Sequence, residues 1–182
     1  MTVRLLAVSG SLRAASSNSR LIEALAKLAP AGVEVEIYRG VGELPFFNLD
    51  LDADPPEAVV RWRERIGAND GLIICSPEYA HGVSGAMKNA LDWLVPSLEF
   101  PEKPVALVNA SPGARFAQAH MRETLTVMSA RMVDEACLTV PLQGRNLTVE
   151  QMIADPEVAG LLRKLLAAMA RAIGRDGGAG AG

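Results

Sequence analysis

Three short apolar runs constrain this chain more than any other feature: residues 3–8, broken only by Arg4, residues 72–75 and residues 105–108. Runs this short and this apolar read as strands buried on both faces, as in a parallel sheet covered by helices on either side. The segments between them supply the helices. Residues 18–29 place Leu21, Ile22, Leu25, Leu28 and Ala29 on one stripe, with Ser17 or Asn18 as N-cap and Pro30-Ala31-Gly32 as the stop. Helices are likewise expected over 57–68, 85–94, 116–129 and 156–173. Residues 33–38 alternate Val, Glu, Val, Glu, Ile, Tyr, the pattern of a half-buried strand at a sheet edge. Residues 136–140 make a fifth strand.

Five strands alternating with five helices imply right-handed crossovers and a doubly wound α/β domain. With the strand order 2-1-3-4-5, the loops leaving strands one, three and four converge on one crevice beyond the carboxyl ends of the strands. One domain is expected over residues 1–174, followed by a flexible Gly/Ala tail over 175–182.

The first of those loops, residues 9–20, is rich in serine, holds Arg13 and Arg20, and has no acidic residue before Glu23. A hydroxyl-rich, cationic loop opening a helix suits a phosphate, because the helix start offers unpaired N–H groups and a partial positive charge. Gly10 lacks the partners of the dinucleotide fingerprint, and there is no Walker lysine, so the loop binds a phosphate rather than transferring one. The second loop, Ser76 to Ser84, carries Pro77, Glu78, Tyr79 and His81 and can line a flat ring. The third, Asn109 to Gly113, offers Ser111 and backbone N–H groups. Together they describe a mononucleotide site, for which flavin mononucleotide (FMN) fits best while adenosine phosphates stay open. Gly82-Val83-Ser84-Gly85-Ala86 approaches a nucleophile elbow but ends in Ala86, and the only histidine downstream, His120, lies in a helical pattern. A general acid or base is not assignable.

Composition narrows the partners. A net charge of −3 gives no basic field for nucleic acid. No apolar stretch reaches the length of a membrane span, and the N-terminal run is too short for a signal peptide, so a cytoplasmic protein is expected. Cys75 and Cys137 sit in apolar runs without metal-ligand spacing and read as buried, reduced thiols. The long connection over 40–56 holds Phe46 and Phe47, read as loop packing, ligand lining or a subunit contact.

The stretch from Ser76-Pro77-Glu78-Tyr79 to Lys88-Asn89-Ala90-Leu91-Asp92-Trp93 resembles the NAD(P)H-dependent FMN reductase family, whose members include azo-dye, quinone and chromate reductases. Gly10-Ser11-Leu12-Arg13 with Ser16 and Asn18, and Leu44-Pro45-Phe46-Phe47-Asn48, are similar to its phosphate loop and to its loop after strand two. The resemblance implies a flavodoxin-like, three-layer sandwich with a five-stranded parallel sheet. It also implies bound FMN, with NADPH or NADH as co-substrate. Its site would draw on Ser11, Arg13, Ser16, Ser17 and Asn18 at the phosphate. Pro77, Glu78, Tyr79, Ala80, His81 and Gly82 would run beside the ring, and Ser111 and Gly113 would close the far side. Many members carry Asn at the position of Ala80, Ser at Gly82 and Pro at Ser84. The implied activity is ping-pong hydride transfer from nicotinamide to FMN and on to a small-molecule acceptor such as a flavin, quinone or azo compound. A flavodoxin-type electron carrier without NAD(P)H activity is the alternative. The resemblance further implies a homodimer or homotetramer, with the Gly85 to Trp93 helix and Phe46–Phe47 as the expected interface.

Overall fold

The computed structural model describes residues 2–179, with side chains through residue 174. Strands β1 (Val3–Ser9) and β2 (Val33–Tyr38) flank helix α1 (Ser17–Lys27), and α2 (Glu57–Ala68) leads to β3 (Gly71–Cys75). A two-stranded hairpin, β4 (Glu78–Tyr79) and β5 (Gly82–Val83), precedes α3 (Gly85–Asp92), β6 (Pro104–Asn109) and α4 (Arg115–Val127). Two short strands, β7 (Arg131–Met132) and β8 (Leu138–Thr139), are followed by α5 (Val149–Ala154) and α6 (Pro156–Ala179).

The main sheet is parallel in the order β2-β1-β3-β6-β7, with β8 also paired to β6. This is the expected 2-1-3-4-5 order with one correction. The fifth strand is broken: β7 lies beside Pro104 and Val105, β8 beside Val108 and Asn109, and a 3-10 turn at Asp134–Ala136 separates them. Expected over 136–140, the strand survives only as Leu138–Thr139.

Period-two alternation in the strands sorts side chains into two cores. Leu5, Ala7, Ile73, Cys75, Ala106 and Val108 pack against α1, α5 and α6. Leu6, Val8, Leu72, Ile74, Val105 and Leu107 pack against α2, α3 and α4, around the buried Trp62, Trp93 and Phe100. Three layers result, as the runs require. β2, at the sheet edge, has no fully buried residue: Glu34 is exposed and the rest are half-buried.

Four further differences are local. The α1 cap is Ser16, whose Oγ accepts from the Ser19 N–H at 3.3 Å, rather than Ser17 or Asn18. The second loop folds as the β4–β5 hairpin. Helix α5, absent from the reading above, starts at a capping box between Thr148 and Gln151. Helix α6 continues into the Gly/Ala segment expected as a tail, as far as Ala179, because an established helix gains a bond for each residue it adds. Residues 180–182 lie outside the described residues.

The family-like motif in α3 is a clamp. Asn89 and Trp93, one turn apart on the same helix face, hold the long connection after β2. The Phe47 N–H donates to Asn89 Oδ1 at 2.8 Å, and Asn89 Nδ2 and Trp93 Nε1 donate to the Pro45 carbonyl at 2.9 and 2.8 Å. Phe47 stands edge-on to Trp93 at 5.1 Å between ring centres. Trp93 is thus covered from within the chain and has no surface left for a neighbour, a correction to the expected interface. Phe46 remains 91% exposed.

Candidate functional site

At the carboxyl ends of β1, β3, β6 and β8 the loops enclose a cleft of about 700 Å3. Its position is the one predicted for an open parallel sheet, and its size suits a mononucleotide. Loop one and loop two approach each other through Gly10. A Cβ there would come within 2.4 Å of Ser76 Oγ and 2.9 Å of Ser84 Oγ, so any side chain forces the loops apart. Ser84 Oγ instead donates to the Gly10 carbonyl at 2.7 Å and accepts the Met87 N–H at 3.3 Å, capping α3. This serine is buried and engaged, which removes it as a nucleophile.

Of the residues named from sequence, Arg13, Ser17, Asn18, Pro77, Glu78, Ser111 and Gly113 line the cleft. Ser17 and Asn18 belong to the first turn of α1, which has no acidic residue and whose opening N–H groups have no partner within the helix. Beneath them, the Cys75 thiol donates to Asn18 Oδ1 at 3.1 Å. Burial holds this thiol well above the usual thiol range, so it stays a protonated donor and fixes which end of the Asn18 amide faces inward.

Ser11, Ser16, Tyr79, Ala80, His81 and Gly82 are not part of the cleft wall. Ser11 is buried, with its N–H on Ser9 Oγ and its own Oγ accepting from the Arg13 N–H. It stiffens the loop, and Ser16 caps α1. Tyr79 to Gly82 make the hairpin turn, with φ of +48° at Ala80 and +59° at His81. The hairpin is pinned to α4 at two points. Glu78 Oε2 accepts the Ala117 N–H at 2.8 Å, and His81 stacks on Phe116 at 4.2 Å between ring centres.

Sequence reading missed one wall. Leu142, Gln143, Gly144, Arg145 and Asn146, in the segment after β8, face the first loop across the cleft. Ser111 Oγ reaches Gln143 Oε1 at 3.4 Å. Arg145 is tied to Asp155, the residue that accepts the Glu157 and Val158 N–H groups at the start of α6. The Val158 N–H foremost, then Arg145, and last the Glu157 N–H hold the Asp155 carboxyl below the usual range. The only available signal was a Gly-Arg-Asn turn after the last strand, which is also ordinary loop composition.

Among the described residues, no group of His, Cys, Asp and Glu is arranged to hold a metal ion, and no helix is long and apolar enough to cross a membrane. The titratable side chains on the cleft wall are Arg13, Glu78 and Arg145, and the last two are already engaged.

Residues 3–144 match the NADPH-dependent FMN reductase family. This chain belongs to that family. It is 32% identical over 174 residues to an NAD(P)H-dependent FMN reductase from Pseudomonas aeruginosa, covering 92% of this chain and 93% of the relative. A quinone reductase from Pseudomonas putida is 37% identical over 143 residues, covering 74% and 73% of the two chains. The structure of FerB, a flavoenzyme NAD(P)H:(acceptor) oxidoreductase from Paracoccus denitrificans, superposes with a TM-score of 0.75 at 29% identity, over 93% of this chain and 98% of that one. As an FMN reductase family member the chain is an NAD(P)H-dependent oxidoreductase that uses FMN. Its residues fit the cofactor: an acid-free helix start with one exposed arginine suits a monophosphate, and Pro77–Glu78 and the Ser111–Gly113 loop line the rest of a cleft roomy enough for a ring.

Proposed function

We propose that the cleft holds FMN with its phosphate at the start of α1 and its ring between the Pro77–Glu78 wall and the Ser111–Gly113 loop. Arg13 would supply the charge for the phosphate, the Ser17 hydroxyl and Asn18 amide neutral donors, and the opening N–H groups of α1 a preformed anion site. The observation that carries this reading is the convergence of the acid-free α1 start, Pro77–Glu78 and the Ser111–Gly113 loop on one cleft of mononucleotide size.

Once bound, FMN would supply the redox chemistry between a reduced nicotinamide and an acceptor such as a quinone, flavin or azo compound. The chain's own residues bind and orient. Gly10 permits the close approach of two loops, Cys75 turns the Asn18 amide, and Glu78 spends its carboxylate on α4. Among the described residues the cleft wall carries no His, Lys or Cys, and its one carboxylate, Glu78, is engaged, so catalysis at this site rests on positioning and electrostatics.

The test is anaerobic. The FMN-loaded protein should bleach rapidly on addition of NADPH or NADH alone, and a quinone should restore its colour. A protein that holds FMN but bleaches only through a separate reductase is a carrier, which overturns the enzymatic reading. A protein that gains no flavin on reconstitution overturns the cofactor site.

A homo-oligomer in the cytoplasm completes the reading. Phe46 and Leu98 are 91% and 92% exposed, and Leu49 and Val95, near them in sequence, are exposed as well, apolar side chains that a second copy would cover. Both cysteines are free thiols, as a reducing compartment favours.

A further inference from the structure

The geometry points to Arg20 as a specificity-determining residue: it staples the first loop to the segment after β8 and so selects a flavin that ends in a monophosphate over one whose phosphate continues into a dinucleotide. This rests on the placement of FMN proposed above.

Arg20 is the second arginine of the cationic first loop. Its guanidinium is spent within the chain. Nη1 donates to the Leu147 carbonyl at 2.6 Å, and Nη2 to Asn146 Oδ1 at 2.9 Å and to the Ala15 carbonyl at 3.2 Å. Ala15, in the first loop, and Asn146, in the segment after β8, both line the cleft. A single planar fork therefore joins the two segments at the end where the phosphate belongs. Arg145, the other cation of this wall, is likewise turned to Asp155. Arg13 is the exposed cation of the cleft wall, while the Arg20 guanidinium faces neutral oxygens of the chain.

A second phosphate and its adenosine have to leave through this end. To pass, they need residues 146 and 147 to move away from the first loop and the Arg20 fork that ties them to Ala15 to break. A terminal monophosphate needs neither change.

The full-length chain, freed of flavin, is titrated with FMN, FAD and riboflavin by flavin fluorescence. The wild type should bind FMN more tightly than FAD. R20A should lower the FMN-to-FAD affinity ratio about tenfold, the equivalent of one or two lost hydrogen bonds. R20K, which keeps the charge and loses the fork, should lower it similarly. N146A removes one acceptor and should lower it by a smaller factor, and it carries the test if the arginine variants do not fold. An unchanged ratio in the folded variants overturns the inference. So does an R20K variant that restores the wild-type ratio, since Arg20 would then act as a charge alone. A wild type that binds neither FMN nor FAD overturns the underlying cofactor reading instead, a result distinct from any change in ratio.

Discussion

Arg13 and Arg20 lie seven positions apart in one loop-helix junction, yet the fold gives them opposite duties. Arg13 is exposed on the cleft wall, while Arg20 is half-buried and bonded to three oxygens of the chain. Arg13→Ala should weaken FMN binding by about 1.5–3 kcal/mol, the range for a charge-assisted hydrogen bond. Riboflavin binding should be unaffected, which a parallel fluorescence titration checks. Gly10 is constrained by space rather than by backbone angle. Gly10→Ala drives a methyl into Ser76 and Ser84 and should cost about 1–3 kcal/mol of stability, the usual range for overpacking. Ala80 and His81 are strained differently, both in the left-handed region that a two-residue hairpin turn demands and that Asn and Gly fill best. Ala80→Asn should therefore stabilise the protein by about 1 kcal/mol, seen as a raised Tm in a thermal melt. The stack of His81 on Phe116 and the bond from the Ala117 N–H to Glu78 hold this turn despite the strain.

Among the elements, the sheet and its covering helices were legible because burial imposes a period on the sequence: two in the strands, 3.6 in the helices. The β4–β5 hairpin and the broken fifth strand were not. Two-residue strands leave no period to read, and their existence rests on neighbours, α4 for the hairpin and β6 for β7 and β8. The α5–α6 corner was invisible for a related reason, since Asp155 works there through a cap and through Arg145, which lies ten residues earlier in the chain. A carboxyl held below its ordinary range stabilises the fold above its unfolded value, and that contribution is lost as pH falls through the folded value. Asp155→Asn should thus lower Tm at neutral pH, and the gap from wild type should close as the pH drops below the usual aspartate range. Melting curves across that range test it, and a gap independent of pH counts against the ionic role.

At the scale of the whole molecule, two apolar cores on either side of one sheet make the fold, and the cleft sits where the loops leave its carboxyl edge. The outer surface beside α3 keeps Phe46 and Leu98 almost fully exposed, while Trp93 is sealed beneath Pro45 and Phe47. If a second copy covers this side, Phe46→Lys combined with Leu98→Lys should shift the protein toward monomer in light scattering coupled to size-exclusion chromatography. FMN content should be retained, because neither residue lines the cleft. An unchanged molar mass would place the subunit contact elsewhere.

By itself the sequence determined the layers, the three loops at the strand ends and the family, since each is written in contiguous residues, while the order 2-1-3-4-5, an expectation there, is settled by the strand pairing. It also identified Arg13, Ser17, Asn18, Pro77, Glu78, Ser111 and Gly113, all of which reach the cleft. Only the tertiary structure decided which polar side chains are used up before a ligand arrives. Ser11, Ser16, Ser84, Glu78 and Arg20 look available in the sequence and are engaged in the fold, as a cap, a loop brace or a staple. The fourth wall, residues 142–146, has the same origin. A hydrogen bond between residues 126 or 127 positions apart leaves no local mark, because its partners are selected by where the sheet brings the chain back and not by their neighbours in sequence.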